Sequence, residues 1–83
     1  MQITLKLYAS LSEHLPAGAQ KNAASIEVDD AISLNGLIDM YNVPRELAHL
    51  VLVNGLFYCD TDRDAAVLKP GDTVAIWPPV AGG

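Results

Sequence analysis

Hydrophobic and polar residues alternate in two separate stretches near the start of the chain. Residues 2–8 and residues 24–28 both repeat with a period of two, which is typical of strands with one buried face. The residues predicted to face inward are Ile3, Leu5, Leu7, Ile26 and Val28. The two strands are expected to form an opening hairpin-like pair.

The segment between these strands carries a helix-start signal. Ser10 followed by Glu13 matches a capping box, which predicts a short helical turn that ends at Pro16 and Gly18. A polar loop from Pro16 to Asn22 is predicted to follow.

The main helix shows a different period. Its apolar residues fall at positions i, i+3, i+4 and i+7, which places them on one face. They are Leu34, Leu37, Ile38 and Tyr41. Ser33 is a good N-cap, Asn42 suits the left-handed position after the helix, and Pro44 prevents continuation. The pattern therefore predicts a helix over Leu34–Tyr41, and residues 45–48 are consistent with one more turn.

The second half of the chain contains three strand-like runs. Residues 50–53 are entirely apolar, Asn54-Gly55 is typical of a type I′ turn, and residues 56–59 are predicted to pair back. Alternation sends either Phe57 or Tyr58 into the core without deciding which.

The last of these runs, residues 73–77, follows a turn at Pro70-Gly71-Asp72. Its alternation directs Val74 and Ile76 toward the helix and leaves Ala75 and Trp77 outward. One helix can cover only one face of a sheet. The sequence thus predicts an α+β fold of the β-grasp type, with a mixed sheet of about five strands wrapped on one main helix.

The final six residues are predicted to leave the sheet. Pro78 and Pro79 have no N–H to donate, so strand pairing should stop there. The division expected is a β-grasp domain over residues 1–77 and a flexible tail over residues 78–83. Such a tail is either an ordinary frayed terminus or a stalk that presents the carboxylate of Gly83 to another protein, with Gly82 allowing close approach.

Composition limits the classes of function. The 83-residue chain has ten acidic and five scattered basic residues, a net charge of −5 and no basic stripe. This pattern argues against nucleic-acid and anionic-membrane binding, and an acidic surface suits a partner with a basic docking face. No apolar run is long enough for a membrane span, and the first residues look like a strand, so a cytoplasmic location is expected.

Other chemistry-bearing residues favour plain structural roles. A lone cysteine, Cys59, is expected to be a small half-buried hydrophobe rather than a sulfur relay. His14 and His49 lie in unrelated elements, so no metal site is predicted. An acidic loop with alternating aspartates lacks the glycine and the distal glutamate of a calcium-binding EF-hand. Its aspartates are Asp60, Asp62 and Asp64.

Three stretches together carry a family resemblance. They are Val53-Asn54-Gly55, the run from Leu68 to Ile76, and the ending Pro78-Pro79-Val80-Ala81-Gly82-Gly83. The chain resembles the ubiquitin-like sulfur-carrier family, and within it most closely the small subunits of molybdopterin synthases. The sulfur carriers of the thiamine pathway are the nearest relatives, and typically end in glycines without the double proline.

The resemblance implies a mechanism in which partners supply the chemistry. A ubiquitin-activating-type enzyme would use ATP to adenylate the Gly83 carboxylate, and a sulfur donor would convert it to a thiocarboxylate. The tail would then enter the catalytic large subunit of molybdopterin synthase and give its sulfur to a pyranopterin precursor. This reading implies a non-catalytic carrier with no bound cofactor.

The alternatives are a carrier for another pathway, such as thiamine or tungsten-cofactor synthesis, a ubiquitin-like modifier joined to lysines through Gly83, and a β-grasp interaction module with an inert tail. Nothing in the sequence alone separates carrier from modifier.

The resemblance and the strand pattern together predict a partner-binding segment at the end of the last strand. Its residues are Trp77, Pro78, Pro79, Val80 and Ala81. Trp77 is expected to expose a large aromatic surface there, and aromatic residues carry much of the energy of protein interfaces. The alternative is that Trp77 packs on a neighbouring strand or loop.

Overall fold

A computed structural model describes residues 1–65 and 67–79. It contains five strands, one α-helix and three short 3₁₀ helices in these residues. In chain order the strands and the α-helix are β1 (Gln2–Leu7), β2 (Ala23–Glu27), α1 (Leu34–Met40), β3 (Leu50–Val53), β4 (Leu56–Phe57) and β5 (Thr73–Trp77). The 3₁₀ helices are Ala9–His14, Arg45–Leu47 and Asp60–Asp62. The predicted element order is confirmed.

The strands form one mixed sheet in the order β2-β1-β5-β3-β4. β1 pairs antiparallel with β2 and parallel with β5, and β3 pairs antiparallel with both β4 and β5. The last strand of the chain is therefore the central strand of the sheet. Together with α1 this arrangement confirms the predicted β-grasp fold.

The core lies between α1 and the inner face of the sheet. It includes the predicted inward residues of β1, β2 and β5, together with the apolar stripe of α1. Its most fully buried side chains are Ile3, Leu5, Leu7, Leu11, Leu34, Leu37, Ile38, Val51, Val74 and Ile76. No helix in residues 1–65 and 67–79 combines the length and the apolar character needed to cross a membrane.

The ends of α1 follow the predicted chemistry. The Ser33 hydroxyl accepts a hydrogen bond from the Gly36 N–H at 2.9 Å, which confirms the N-cap. Asn42 adopts a left-handed conformation with φ 60°, and the Asn42 N–H bonds to the carbonyl of Asp39 at 3.0 Å. The helix ends one residue earlier than predicted, at Met40.

The capping box predicted from Ser10 and Glu13 is wrong. The turn forms a 3₁₀ helix whose N-cap is Tyr8, and no side chain caps it. Its first residue, Ala9, has φ 52°, so the chain enters the turn through a left-handed residue. Ser10 therefore lies inside the turn and not at its start.

Hydrogen bonds between Asn54, Lys69, Asp72 and Thr73 join the β3–β4 turn to the turn before β5. Asn54 and Gly55 have φ 51° and 85°, as a type I′ turn requires. The Asn54 amide donates to the Asp72 carboxylate at 2.9 Å, and the Thr73 N–H donates to the Asn54 side-chain oxygen at 2.9 Å. The Lys69 N–H donates to the same carboxylate at 2.8 Å. These hydrogen bonds hold the start of β5 against the β3–β4 turn.

Candidate functional site

The predicted site begins where β5 ends. Trp77 is the last residue of the strand, followed by a half-buried Pro78 and an exposed Pro79. The His49 N–H donates to the Trp77 carbonyl at 3.1 Å, so the start of β3 holds this end of β5. The other predicted site residues, Val80, Ala81, Gly82 and Gly83, lie outside the described residues. Their roles stay predictions.

Trp77 lies on the outer face of the sheet and packs on Tyr8. Its ring stacks on that of Tyr8, with centroids 4.4 Å apart and planes 2° from parallel. Tyr8 directly follows β1, and the parallel register of Leu7 with Ile76 brings the two aromatic rings side by side. Trp77 is thus half-buried, with one ring face covered, and the part of its surface left exposed is smaller than the sequence suggested.

Ala75 lies on the outer face of the sheet, as predicted, but it is nearly inaccessible to solvent. Only 9 % of its surface is accessible. Ala75 stands between Lys6 of β1 and Leu52 of β3 in the cross-strand register. A methyl group between two longer side chains on adjacent strands has little room for water.

The register also resolves the ambiguity between Phe57 and Tyr58. Phe57 pairs with Leu52, so its side chain lies on the outer face, where it is 58 % exposed. Tyr58 packs against the core, and its N–H donates to the Val51 carbonyl at 3.0 Å. β4 ends at Phe57, two residues earlier than predicted.

These residues form one apolar surface. Leu50 pairs with Trp77, and Leu52 pairs with both Phe57 and Ala75, so they share the outer face. We call this surface the outer-face patch. It consists of Tyr8, Leu50, Leu52, Phe57 and Trp77. It adjoins the point where the tail leaves β5, which suits a surface that a partner covers while it holds the tail.

The other half of the outer face is polar. The loop that contains Lys21 forms a groove of about 510 Å³ with β1 and β2, and an adjoining groove of about 270 Å³ is lined by Lys6, Lys21 and Tyr8. No acidic side chain lines either groove in the described chain. The outer face is therefore locally cationic at this end although the whole chain carries a charge of −5.

The remaining candidate residues are not brought together. Cys59 is half-buried, and its sulfur lies 3.1 Å from both the Thr61 hydroxyl and the Asp62 carboxylate, which satisfies the thiol locally. His14 lies 3.8 Å from Glu13 and has no contact with the exposed His49 in the described structure. Within residues 1–65 and 67–79, no group of three or more His, Cys, Asp or Glu side chains could hold a metal ion.

Three charged side chains have shifted pKa values. The hydrogen bond from Asn54, followed by that from the Lys69 N–H, lowers the pKa of Asp72. The exposed ion pair of Asp39 with Arg45, at 2.6 Å, lowers the pKa of Asp39 and raises that of Arg45. Both effects belong to turns and surface pairs, so they stabilise the domain and do not mark an acid–base catalyst.

Sequence reasoning missed Arg63. Only 5 % of its surface is exposed, and its guanidinium donates hydrogen bonds to backbone carbonyls. Arginine is mostly exposed by residue type, and this arginine occurs in a polar, aspartate-rich stretch. No local signal could therefore have found it.

The fold is that of a ubiquitin-like β-grasp protein. A single helix packs on a mixed sheet in the order β2-β1-β5-β3-β4, and the chain leaves from the central strand beside the outer-face patch. The model of the ThiS family, a family of ubiquitin-like sulfur carriers, matches residues 6–83. The chain belongs to this family.

Solved structures agree on the fold. The chain is 27 % identical to the HVO 2177 protein of Haloferax volcanii, with a TM-score of 0.77, covering 100 % of this chain and 87 % of that one. It is 25 % identical to small archaeal modifier protein 1 of H. volcanii, with a TM-score of 0.59 and coverage of 95 % and 98 %.

A third similar structure is a complex of subunits 1 and 2 of molybdopterin-converting factor from Helicobacter pylori. It matches at 17 % identity with a TM-score of 0.57, and the match covers 100 % of both chains. At this identity the match shows a likeness of fold alone. A search of curated proteins found no match.

Proposed function

We propose that this chain is a sulfur carrier for molybdopterin synthesis, and that the Gly83 carboxylate is its reactive group. The observation that carries the proposal is the family match through Gly83, which includes the ending Pro78-Pro79-Val80-Ala81-Gly82-Gly83. That ending resembles the small subunits of molybdopterin synthases more than the carriers of the thiamine pathway.

The chemistry has two stages. In the first, a carboxylate oxygen of Gly83 attacks the α-phosphorus of ATP in an activating enzyme, and pyrophosphate leaves. In the second, sulfide displaces AMP and gives the thiocarboxylate directly. If the donor is a persulfide, its outer sulfur displaces AMP to form an acyl disulfide, and a second thiol of the donor then breaks the S–S bond, so that a disulfide forms on the donor and the thiocarboxylate is released. A carboxylate is a poor acyl donor, so the adenylate provides the leaving group that it lacks. Gly83 is then a substrate and carrier, and the catalytic groups belong to the partners.

In this function the domain binds the partner proteins and presents the tail to their active sites. The outer-face patch lies next to Pro78 and offers apolar surface beside the tail. Lys6 and Lys21 extend this surface with positive charge. A partner that covers both regions would place carboxylates opposite the two lysines. Its contact surface would therefore be negatively charged there, whereas the net charge of this chain alone suggests a basic partner surface.

The proposed acceptor partner is a catalytic large subunit of the molybdopterin synthase type. A chain of the solved complex of two molybdopterin-converting factor subunits shares this fold, which supports a large subunit of that kind as the partner to test. A ubiquitin-activating-type adenylating enzyme is the second proposed partner.

Intact-protein mass spectrometry tests the proposal. The chain is incubated with a cognate activating enzyme, ATP and a sulfur donor, and we expect a mass change that corresponds to one oxygen replaced by sulfur. A variant that lacks Gly83 is the matched control, because it keeps the whole domain and should show no change. An unmodified wild-type mass, with every component shown to be active, would refute the carrier function.

A ubiquitin-like modifier is the second candidate, and the likeness to small archaeal modifier protein 1 favours it. Adenylation of Gly83 serves both fates. A modifier would appear in cell extracts as isopeptide conjugates that disappear when Gly83 is deleted. Sulfur transfer to a pyranopterin precursor, by a chain that forms no conjugates, would support the carrier.

A further inference from the structure

Within the part of the chain that the structure describes, Arg63 is a buried cation without an anionic partner. Only 5 % of its surface is exposed, and no carboxylate within residues 1–65 and 67–79 forms an ion pair with it. Burial of a charged group is costly unless the group is well hydrogen-bonded. A buried arginine of this kind requires a structural reason.

The guanidinium of Arg63 is satisfied by three backbone carbonyls. Nη1 donates to the Ala48 carbonyl at 2.7 Å, Nη2 to His49 at 3.3 Å, and Nε to Tyr58 at 3.2 Å. The guanidinium is planar and its donors have fixed directions, so one side chain holds the entry into β3 and the exit from β4 in a set geometry.

The same contacts reach the tail through one peptide group. The Ala48 carbonyl accepts from Arg63, and the N–H of that same peptide, on His49, donates to the Trp77 carbonyl at 3.1 Å. A charged donor on the carbonyl polarises the peptide and strengthens its N–H as a donor. Arg63 is therefore two hydrogen bonds away from the last residue of β5.

The two described residues that follow Trp77 are both prolines. Pro78 and Pro79 have no N–H, so neither can donate to the carbonyls at the start of β3. In the described structure, no hydrogen bond is made to the carbonyl of Pro78 or Pro79 either. Among the residues that the structure describes, the hydrogen bond from His49 to Trp77 is thus the last backbone hydrogen bond along β5 and Pro78-Pro79, and Arg63 supplies donors that the two prolines lack.

We propose that Arg63 is a positioning residue that fixes the direction in which the tail leaves β5. This inference rests on the proposed function, in which the tail enters the active sites of partners. A fixed starting direction reduces the conformational freedom that the tail must lose on entry, which lowers the apparent KM of the activating enzyme for the carrier. The chemical step itself lies several residues away, so kcat changes little.

The test compares Arg63→Met and Arg63→Lys with two controls. Arg45→Met removes an exposed arginine that lines the groove beside Arg63. Val28→Ala removes buried apolar volume at the opposite end of the sheet, and thus gives a loss of stability without a change at the tail. Two quantities are measured: amide hydrogen exchange at His49 by NMR, and the kinetics of thiocarboxylate formation.

We expect Arg63→Met to speed exchange at His49 relative to the central amides of β5 and to raise KM roughly tenfold, because the tail base loses its preorganisation. Arg63→Lys should restore part of both values, since one ammonium reaches fewer carbonyls than the guanidinium fork. Val28→Ala should speed exchange of all slowly exchanging amides together and leave KM close to wild type. Arg45→Met should change neither quantity.

The inference is overturned if exchange at His49 in the Arg63 variants only follows global unfolding, or if their KM matches that of Val28→Ala. If Arg63→Met does not fold, Arg63→Lys decides both readouts. A wild-type chain that forms no thiocarboxylate refutes the proposed function instead, and the exchange measurement still decides whether Arg63 holds the tail base.

Discussion

The stacked pair of Tyr8 and Trp77 is expected to couple the outer-face patch to the stability of the domain. A fully buried large aromatic residue costs roughly 3 to 5 kcal/mol when truncated to alanine. Trp77 is half-buried, so Trp77→Ala should cost roughly 2 kcal/mol, about half that value. For a domain of this size, this loss corresponds to a fall in Tm of roughly 10 °C.

Part of that cost belongs to the pair itself. Rings with centroids 4.4 Å apart and nearly parallel planes are in stacking contact, and such pairs contribute about 0.5 to 1.5 kcal/mol beyond area burial. A double-mutant cycle of Tyr8→Ala and Trp77→Ala should therefore give a coupling energy of about 1 kcal/mol. Tyr8→Phe is the matched control, because it keeps the ring and removes only the hydroxyl.

The assay is urea denaturation of the four cycle variants and the control, followed by far-UV circular dichroism. A coupling energy below about 0.3 kcal/mol would show that the contact carries no stability of its own and refute the reasoning. A Trp77→Ala chain that is unfolded in water would instead show that the tryptophan is a core residue. A folded Trp77→Ala variant can then be tested for weaker partner binding, the role predicted from sequence.

Four further predictions concern local structure and use the same denaturation assay. Ser33→Ala should cost about 1 kcal/mol because the Gly36 N–H loses its cap, and a Ser33→Asp variant that loses as much would contradict this. Asp72→Asn should lower stability by about 1 kcal/mol at neutral pH. Because the folded-state pKa of Asp72 is lowered, its contribution is complete above the ordinary value of 3.8 and is lost as the pH falls through the folded-state value, so wild type and Asp72→Asn should converge in acid. Ala9→Gly should stabilise the domain by roughly 0.5 to 1 kcal/mol by relieving a left-handed alanine, whereas Gly55→Ala, at φ 85° with open space around it, should destabilise it by at least as much.

Local chemistry was sufficient to predict much of the fold. Ser33 caps its helix and Asn54-Gly55 makes its turn because the groups involved are close in sequence. The alternation in β1 and β2 depends only on the period of a strand. Such features need no knowledge of the rest of the chain.

One missed feature is local: the capping box at Ser10 failed because the chain enters that turn through Ala9 in a left-handed conformation. The other missed features depend on contacts between segments that are distant in sequence. The stack of Tyr8 on Trp77 requires the parallel pairing of the first and last strands. The buried Arg63 is hydrogen-bonded to the carbonyls of residues before β3 and after β4. The predicted roles of residues 80–83 remain a prediction from sequence.

The parallel pairing of β1 with β5 also has a consequence for when the tail becomes usable. These two strands are the most distant in sequence and lie side by side at the centre of the sheet, so their contact closes the longest loop in the chain. Long-range pairings of this kind form late in folding because loop closure costs entropy before the contact forms. In a chain that is newly made or transiently unfolded, the sheet that holds the base of the tail has therefore not yet formed. The carrier can present its tail to a partner only after folding is complete.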